Sequence, residues 1–146
     1  MAIAERTAQT VWEGNLPEGA GTVNGGSGAL KDLAVTWAAR TEAPGGKTSP
    51  EELAAAAHSS CYSMALSLML GKAKTPPEKL TVTAEVTLDE VDGAPTIVSS
   101  ELTVVGRVPG IEEAAFIKTA EEAAAFCPIS RLFAGAQITV DASLEK

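Results

Sequence analysis

The side chains best suited to covalent chemistry are two thiols, Cys61 and Cys127, with no further cysteine near either. A thiol acts as nucleophile or redox centre only as its thiolate, so each poses the question of what lowers its pKa from an ordinary value of about 8.5. Cys61 falls about twelve positions into a predicted helix that opens at Ser49, too deep for the positive end of its dipole to reach. Burial among alanines disfavours the anion further, so without a nearby cation Cys61 is an inert, packed thiol. Cys127 stands in Phe126-Cys127-Pro128-Ile129-Ser130, where one helix ends and Pro128 suits the first position of another. The positive potential of a helix start fits a reactive or resolving thiol; the same placement fits a structural break, and spacing does not decide between them.

His58 lies three residues before Cys61, so on a helix the two share a face, the arrangement of a base beside a thiol nucleophile. A single histidine on an apolar helix is more often a packed, hydrogen-bonded residue, and we read it so. One histidine and two distant cysteines do not supply the three or four usual zinc ligands, and no metal is expected. Gly46-Lys47-Thr48 looks like the end of a phosphate loop, but the first glycine of that motif would fall at Thr41 and Pro50 follows too soon. It reads instead as a loop leading into a helix cap. Eleven Lys and Arg against nineteen Asp and Glu give a net charge of −8 with no basic cluster, and the aromatics Trp12, Trp37, Tyr62, Phe116, Phe126 and Phe133 are scattered. Nucleic acid is therefore excluded as an expected partner.

The elements that must position these groups are legible in the periodicity. Residues Leu80, Val82, Ala84, Val86 and Leu88 alternate with polar ones, the period of a half-buried strand. Asp92-Gly93 then forms a tight turn, and Ile97 to Val108 returns as an antiparallel partner. A last strand places Ile138, Val140, Ala142 and Leu144 on one side. Three earlier strands are predicted near Thr7 to Glu13, Gly21 to Asn24 and Leu30 to Arg40, with a turn at Gly25-Gly26-Ser27-Gly28. A helix starts at Ser49-Pro50-Glu51-Glu52, with Ser49 as cap and Glu52 completing a capping box, and runs to Gly71. From Leu53 to Leu70 it carries no charge, so nearly every face is compatible with burial. It has the length of a membrane span, but its four serines, His58 and many alanines make a poor hydrocarbon helix, and a central helix wrapped by sheet is expected instead. A second helix, Ile111 to about Phe126, lays Phe116, Ile117, Ala120, Ala123 and Ala124 on one stripe. The order is βββ-α-ββ-α-β, an α+β arrangement in one domain, 1–146. The start of the chain lacks the apolar stretch of a secretory signal, which predicts a cytoplasmic protein with no membrane partner.

The segments SPEELAAAAHSSCYSMALSLML and CPIS, together with VWEG, GTVNGGSG, VDGAPTI, VPGI and the closing strand, resemble the osmotically inducible protein C (OsmC) and organic hydroperoxide resistance family, the OsmC branch most closely, over nearly the whole chain. The resemblance implies an intertwined homodimer with two long central helices enclosed by antiparallel sheets. It implies an antioxidant, thiol-dependent peroxidase that reduces organic and fatty-acid hydroperoxides to alcohols in the oxidative stress response. Cys61 would then be the peroxidatic cysteine and Cys127 the resolving one, joined in a redox-active disulfide. Arg40 would hold the thiolate and Glu51 would orient Arg40. By themselves Arg40 and Glu51 read as surface charges; in those roles they supply the cation that Cys61 lacks. No bound cofactor is implied, and the expected reductant is an external dithiol of the lipoyl type. Thr41 stands where many OsmC-type members carry an aromatic residue, and Leu53, Met64 and Ile129 are the expected supports for a substrate's alkyl tail. The loop from Thr41 to Ser49, with Gly45 and Gly46, reads as a hinge for Arg40.

Ten residues separate Glu51 from Cys61, about 15 Å along an unbroken helix and too far for one arginine to serve both easily. Either the helix breaks near His58, or two antiparallel helices in a dimer bring Glu51 of one subunit to Cys61 of the other; the second is the expectation. The competing readings are a non-enzymatic apolar-ligand domain whose thiols only pack, and a redox sensor in which the disulfide alters a partner surface.

Overall fold

The computed structural model describes residues 1–146. In chain order its elements are β1 (Ala8–Glu13), β2 (Ala20–Gly25), β3 (Leu33–Val35), α1 (Trp37–Thr41), α2 (Pro50–Lys72), β4 (Lys79–Val91), β5 (Ala94–Arg107), α3 (Glu113–Phe126), α4 (Pro128–Leu132) and β6 (Gln137–Leu144). The chain divides into two compact units, Met1–Leu53 and Ala54–Lys146.

In the first unit β1, β2 and β3 form an antiparallel sheet with β2 in the middle. The strand expected from Leu30 to Arg40 is corrected here, because only Leu33–Val35 is extended and Trp37–Thr41 is helical. Thr36 decides this: its Oγ1 accepts from the Ala39 amide at 3.1 Å, and a capped Ala-Ala-Arg run favours helix over strand. The cap of α2 is as predicted at Ser49, whose Oγ accepts from the Glu52 amide at 3.1 Å. The reciprocal half of the box is not formed. The Glu52 carboxylate accepts instead from Thr48 Oγ1 at 2.7 Å, a charge-assisted bond.

In the second unit β5 is the central strand, antiparallel to β4 and parallel to β6. The turn at Asp92-Gly93 takes left-handed backbone at both residues, φ 52° and 81°. The alternation of β4 holds, with Leu80, Val82, Ala84 and Val86 turned inward and Thr81, Thr83 and Glu85 outward. One face of β5, namely Ser100, Leu102, Val104 and Gly106, is buried. Phe116, Ala120 and Ala123 of α3 are buried in the same core, as their stripe predicted. Gly106 has no side chain because a Cβ there would lie 2.6 Å from Phe116 Cζ.

Helix α2 continues unbroken through His58. It has the length and mean hydropathy of a membrane-spanning helix, yet it buries His58, Tyr62, Ala65, Leu66 and Leu70, one face at i, i+4 spacing. Tyr62 Oη donates to the Ala120 carbonyl at 2.7 Å and so ties α2 to α3. The opposite face, with Ser60, Met64 and Leu68, is exposed in the single chain. Nearly every face of this helix is compatible with burial by its sequence, and within the single chain one side is buried.

Candidate active site

The predicted site residues fall into two pairs, one in each unit. In the first unit α1 carries Arg40 in its last turn and α2 carries Glu51 in its first. Arg40 Nε donates to Glu51 Oε1 at 2.7 Å and to Oε2 at 3.2 Å. The two side chains are 30% and 12% exposed, which shields this pair from solvent screening more than an ordinary surface ion pair. Because Nε takes the carboxylate, the two terminal nitrogens of the guanidinium remain available. Trp37, one turn earlier, presents its ring to the Arg40 guanidinium at 5.9 Å. Sequence reasoning left Trp37 among the scattered aromatics; the Thr36 cap, which starts the helix that brings residues 37 and 40 to one side, was the available signal.

Beside Arg40 lies an apolar cavity of about 450 Å³ lined by Trp12, Leu16, Val23, Val35, Trp37 and Leu53. Of the three residues expected to support an alkyl tail, Leu53 lines this cavity. Met64 is exposed on α2, and Ile129 is half-buried in the second unit. Two tryptophans, scattered in the sequence, give the cavity an aromatic lining.

In the second unit the two cysteines meet. Both are free thiols; Cys61 is half-buried on α2 and Cys127 is fully buried at the N-cap of α4. Burial pushes the Cys61 thiol up; a hydrogen bond from the Ile129 backbone amide pulls it down, and the neighbouring Cys127 thiol, also a hydrogen-bond partner, pushes it up again. The break after α3 thus does something the sequence did not reveal. Pro128 starts a new turn whose Ile129 N–H, one of the donors left without an intrahelical acceptor, is directed to the sulfur of Cys61 rather than Cys127. A thiolate on Cys61 would have a fixed donor, and a second free thiol, Cys127, stands beside it.

His58 does not serve Cys61 as a base. Its Nδ1 lies 2.6 Å from Ser100 Oγ and its Nε2 2.8 Å from Ser130 Oγ, so both ring nitrogens are engaged. Burial lowers its pKa and keeps the imidazole neutral. The expected packed, hydrogen-bonded histidine is what the structure contains.

Residues 43–143 match the family described as OsmC-like protein. Over 140 residues the chain is 41% identical to Peroxiredoxin OsmC of Escherichia coli strain K12, covering 96% of each protein. Among solved structures it is similar to an organic hydroperoxide resistance protein OsmC from Legionella pneumophila, with a TM-score of 0.77 and 25% identity, covering 98% of this chain and 99% of that one. Its fold is also that of the organic hydroperoxide resistance protein OhrB of Bacillus subtilis, with a TM-score of 0.74 and 23% identity, covering 94% and 98% of the two chains.

Proposed function

This chain belongs to the OsmC family, and we propose that it is a thiol-dependent peroxidase that reduces organic hydroperoxides to alcohols. The observation that carries the reading is the contact of Cys61 with Cys127 under the Ile129 amide. In the proposed cycle the Cys61 thiolate attacks the distal oxygen of the hydroperoxide. The O–O bond breaks, the alkoxide leaves and takes up a proton as the alcohol, and Cys61 is left as a sulfenic acid. The Cys127 sulfur then attacks that of Cys61, water departs, and the disulfide forms. An external dithiol, of the lipoyl type on family grounds, reduces it by exchange and leaves as its own disulfide.

Burial alone keeps Cys61 protonated, so the cycle requires a cation. We assign that role to Arg40, oriented by Glu51 through Nε with its terminal nitrogens turned to the reacting oxygens and sulfur. The unbroken α2 favours delivery of Arg40 and Glu51 to Cys61 by a second subunit rather than by a helix break. A homodimer in which the exposed Met64 and Leu68 faces of α2 pack together fits the apolar character of that side. Residues 1–146 are read as one domain of a cytoplasmic enzyme. The cavity beside Arg40 accepts the substrate's apolar part against Trp12, Leu16, Trp37 and Leu53.

The test is consumption of cumene hydroperoxide with a dithiol by the wild type and by Cys61→Ser, Cys127→Ser and Arg40→Ala. Cys61→Ser should lose the reaction, Arg40→Ala should slow it by about two orders of magnitude, and Cys127→Ser should complete one turnover before overoxidation. Equal rates in all four proteins contradict the reading, as does a single rapid oxidation without turnover.

A further inference from the structure

His58 is fully buried where α2, β5 and α4 meet. It bridges Ser100 of β5 and Ser130 of α4, and the ring of Phe133 stands edge-on to it at 5.3 Å between centroids. A neutral imidazole offers one donor and one acceptor, and each serine hydroxyl can serve as either, so the trio is fully satisfied. No buried side-chain nitrogen or oxygen in the protein lacks a partner. Satisfied buried networks are rigid, and breaking one leaves a polar atom unpaired.

What the network holds is the informative part. Helix α4 is only five residues long and too short to keep its position by itself. It nevertheless carries both groups that act on Cys61: Cys127 is its N-cap and Ile129 supplies the amide. Ser130 follows Ile129 directly, so the bond from Ser130 to His58 fixes the peptide on which the donor is carried.

We propose that His58 is a positioning residue: through Ser130 it anchors α4 to α2 and β5, and thereby holds the Ile129 amide on the Cys61 sulfur and Cys127 within reach of it. With the anchor cut, α4 is free to move, the donor is withdrawn and both oxidation of Cys61 and closure of the disulfide slow. The kinetic consequence rests on the peroxidase reading; the effect on Cys61 ionisation does not.

Ser130→Ala removes one hydroxyl and no bulk. Iodoacetamide labelling of Cys61, followed across pH by peptide mass, should show its midpoint raised by about one unit in Ser130→Ala, the size expected for loss of a hydrogen bond to a charged group. Stopped-flow oxidation by cumene hydroperoxide should slow about tenfold in the same variant. Ser130→Thr, which keeps the hydroxyl, should recover most of both, whereas a purely structural role would move the unfolding temperature alone. An unchanged midpoint in folded Ser130→Ala, or Ser130→Thr no better than Ser130→Ala, overturns the inference. Should Ser130→Ala not fold, His58→Phe, which keeps a ring and removes both nitrogens, cuts the same bond from the α2 side and must give the same upward shift. A wild type that consumes no hydroperoxide defeats the peroxidase reading while leaving the labelling comparison to judge His58.

Discussion

At the scale of single residues the site is a contest over one sulfur. Desolvation favours the Cys61 thiol and the Ile129 amide favours the thiolate, so the reactive form needs the charge assigned to Arg40. That guanidinium is held by Glu51 through Nε. Glu51→Gln keeps the shape but exchanges a charged acceptor for a neutral one, and should slow oxidation of Cys61 about tenfold without changing the rate at which an existing sulfenic acid is resolved by Cys127. Stopped-flow traces that separate the two phases check this; equal slowing of both would contradict it. The cysteines and their different settings were legible in the sequence, because Pro128 marks a helix start. The target of that start was not, since a backbone amide has no residue type to announce it. Arg40 and Glu51 had no signature beyond resemblance, because a charge is read as solvated until a fold shows where it points.

At the scale of elements the legible parts were those with a period. Strands β4, β5 and β6 and helix α3 follow alternation or stripe closely, because each has one wet and one dry face over several repeats, whereas α2 was legible from its Ser49 cap and its long uncharged run. The failures are short pieces: α1 replaced the last part of a predicted strand once Thr36 supplied a cap. Tight contact between elements yields one prediction. In Gly106→Ala the new methyl would press on the Phe116 ring, and the expected cost is about 1–3 kcal/mol in urea unfolding; a change within about 0.5 kcal/mol would mean that α3 yields freely. The junction at His58 yields another. Its folded pKa lies below the ordinary 6.5, so below that pH the unfolded chain binds a proton that the folded chain does not. The contribution of a neutral His58 is thus complete above about pH 6.5 and is lost as pH falls through the depressed folded value. The stability difference between wild type and His58→Gln should therefore shrink on acidification, with a limiting slope of about 1.4 kcal/mol per pH unit. A difference independent of pH would contradict this.

At the scale of the whole molecule, half of the central helix is unexplained by a single chain. Met64 and Leu68 are 72% and 46% exposed on the face of α2 opposite the core. If that face meets water, Leu68→Glu is a mild change; if it meets a second copy, a buried unpaired charge splits the assembly. The account predicts that Leu68→Glu sediments as a monomer and loses turnover, and a dimeric, active variant would contradict it. In the sequence the dimer was suggested by the family resemblance and by the distance between Glu51 and Cys61 along one helix, whereas the uncharged run of α2 was read only as a helix wrapped by sheet. The central claim remains that a guanidinium makes an interior sulfur anionic. Its most direct measurement is the ultraviolet absorbance of the Cys61 thiolate titrated against pH in Cys127→Ser and in Cys127→Ser with Arg40→Ala. The account predicts ionisation below the ordinary cysteine value of about 8.5 in the first protein, and a midpoint higher by at least about one unit in the second. Coincident titrations in the two proteins would contradict it.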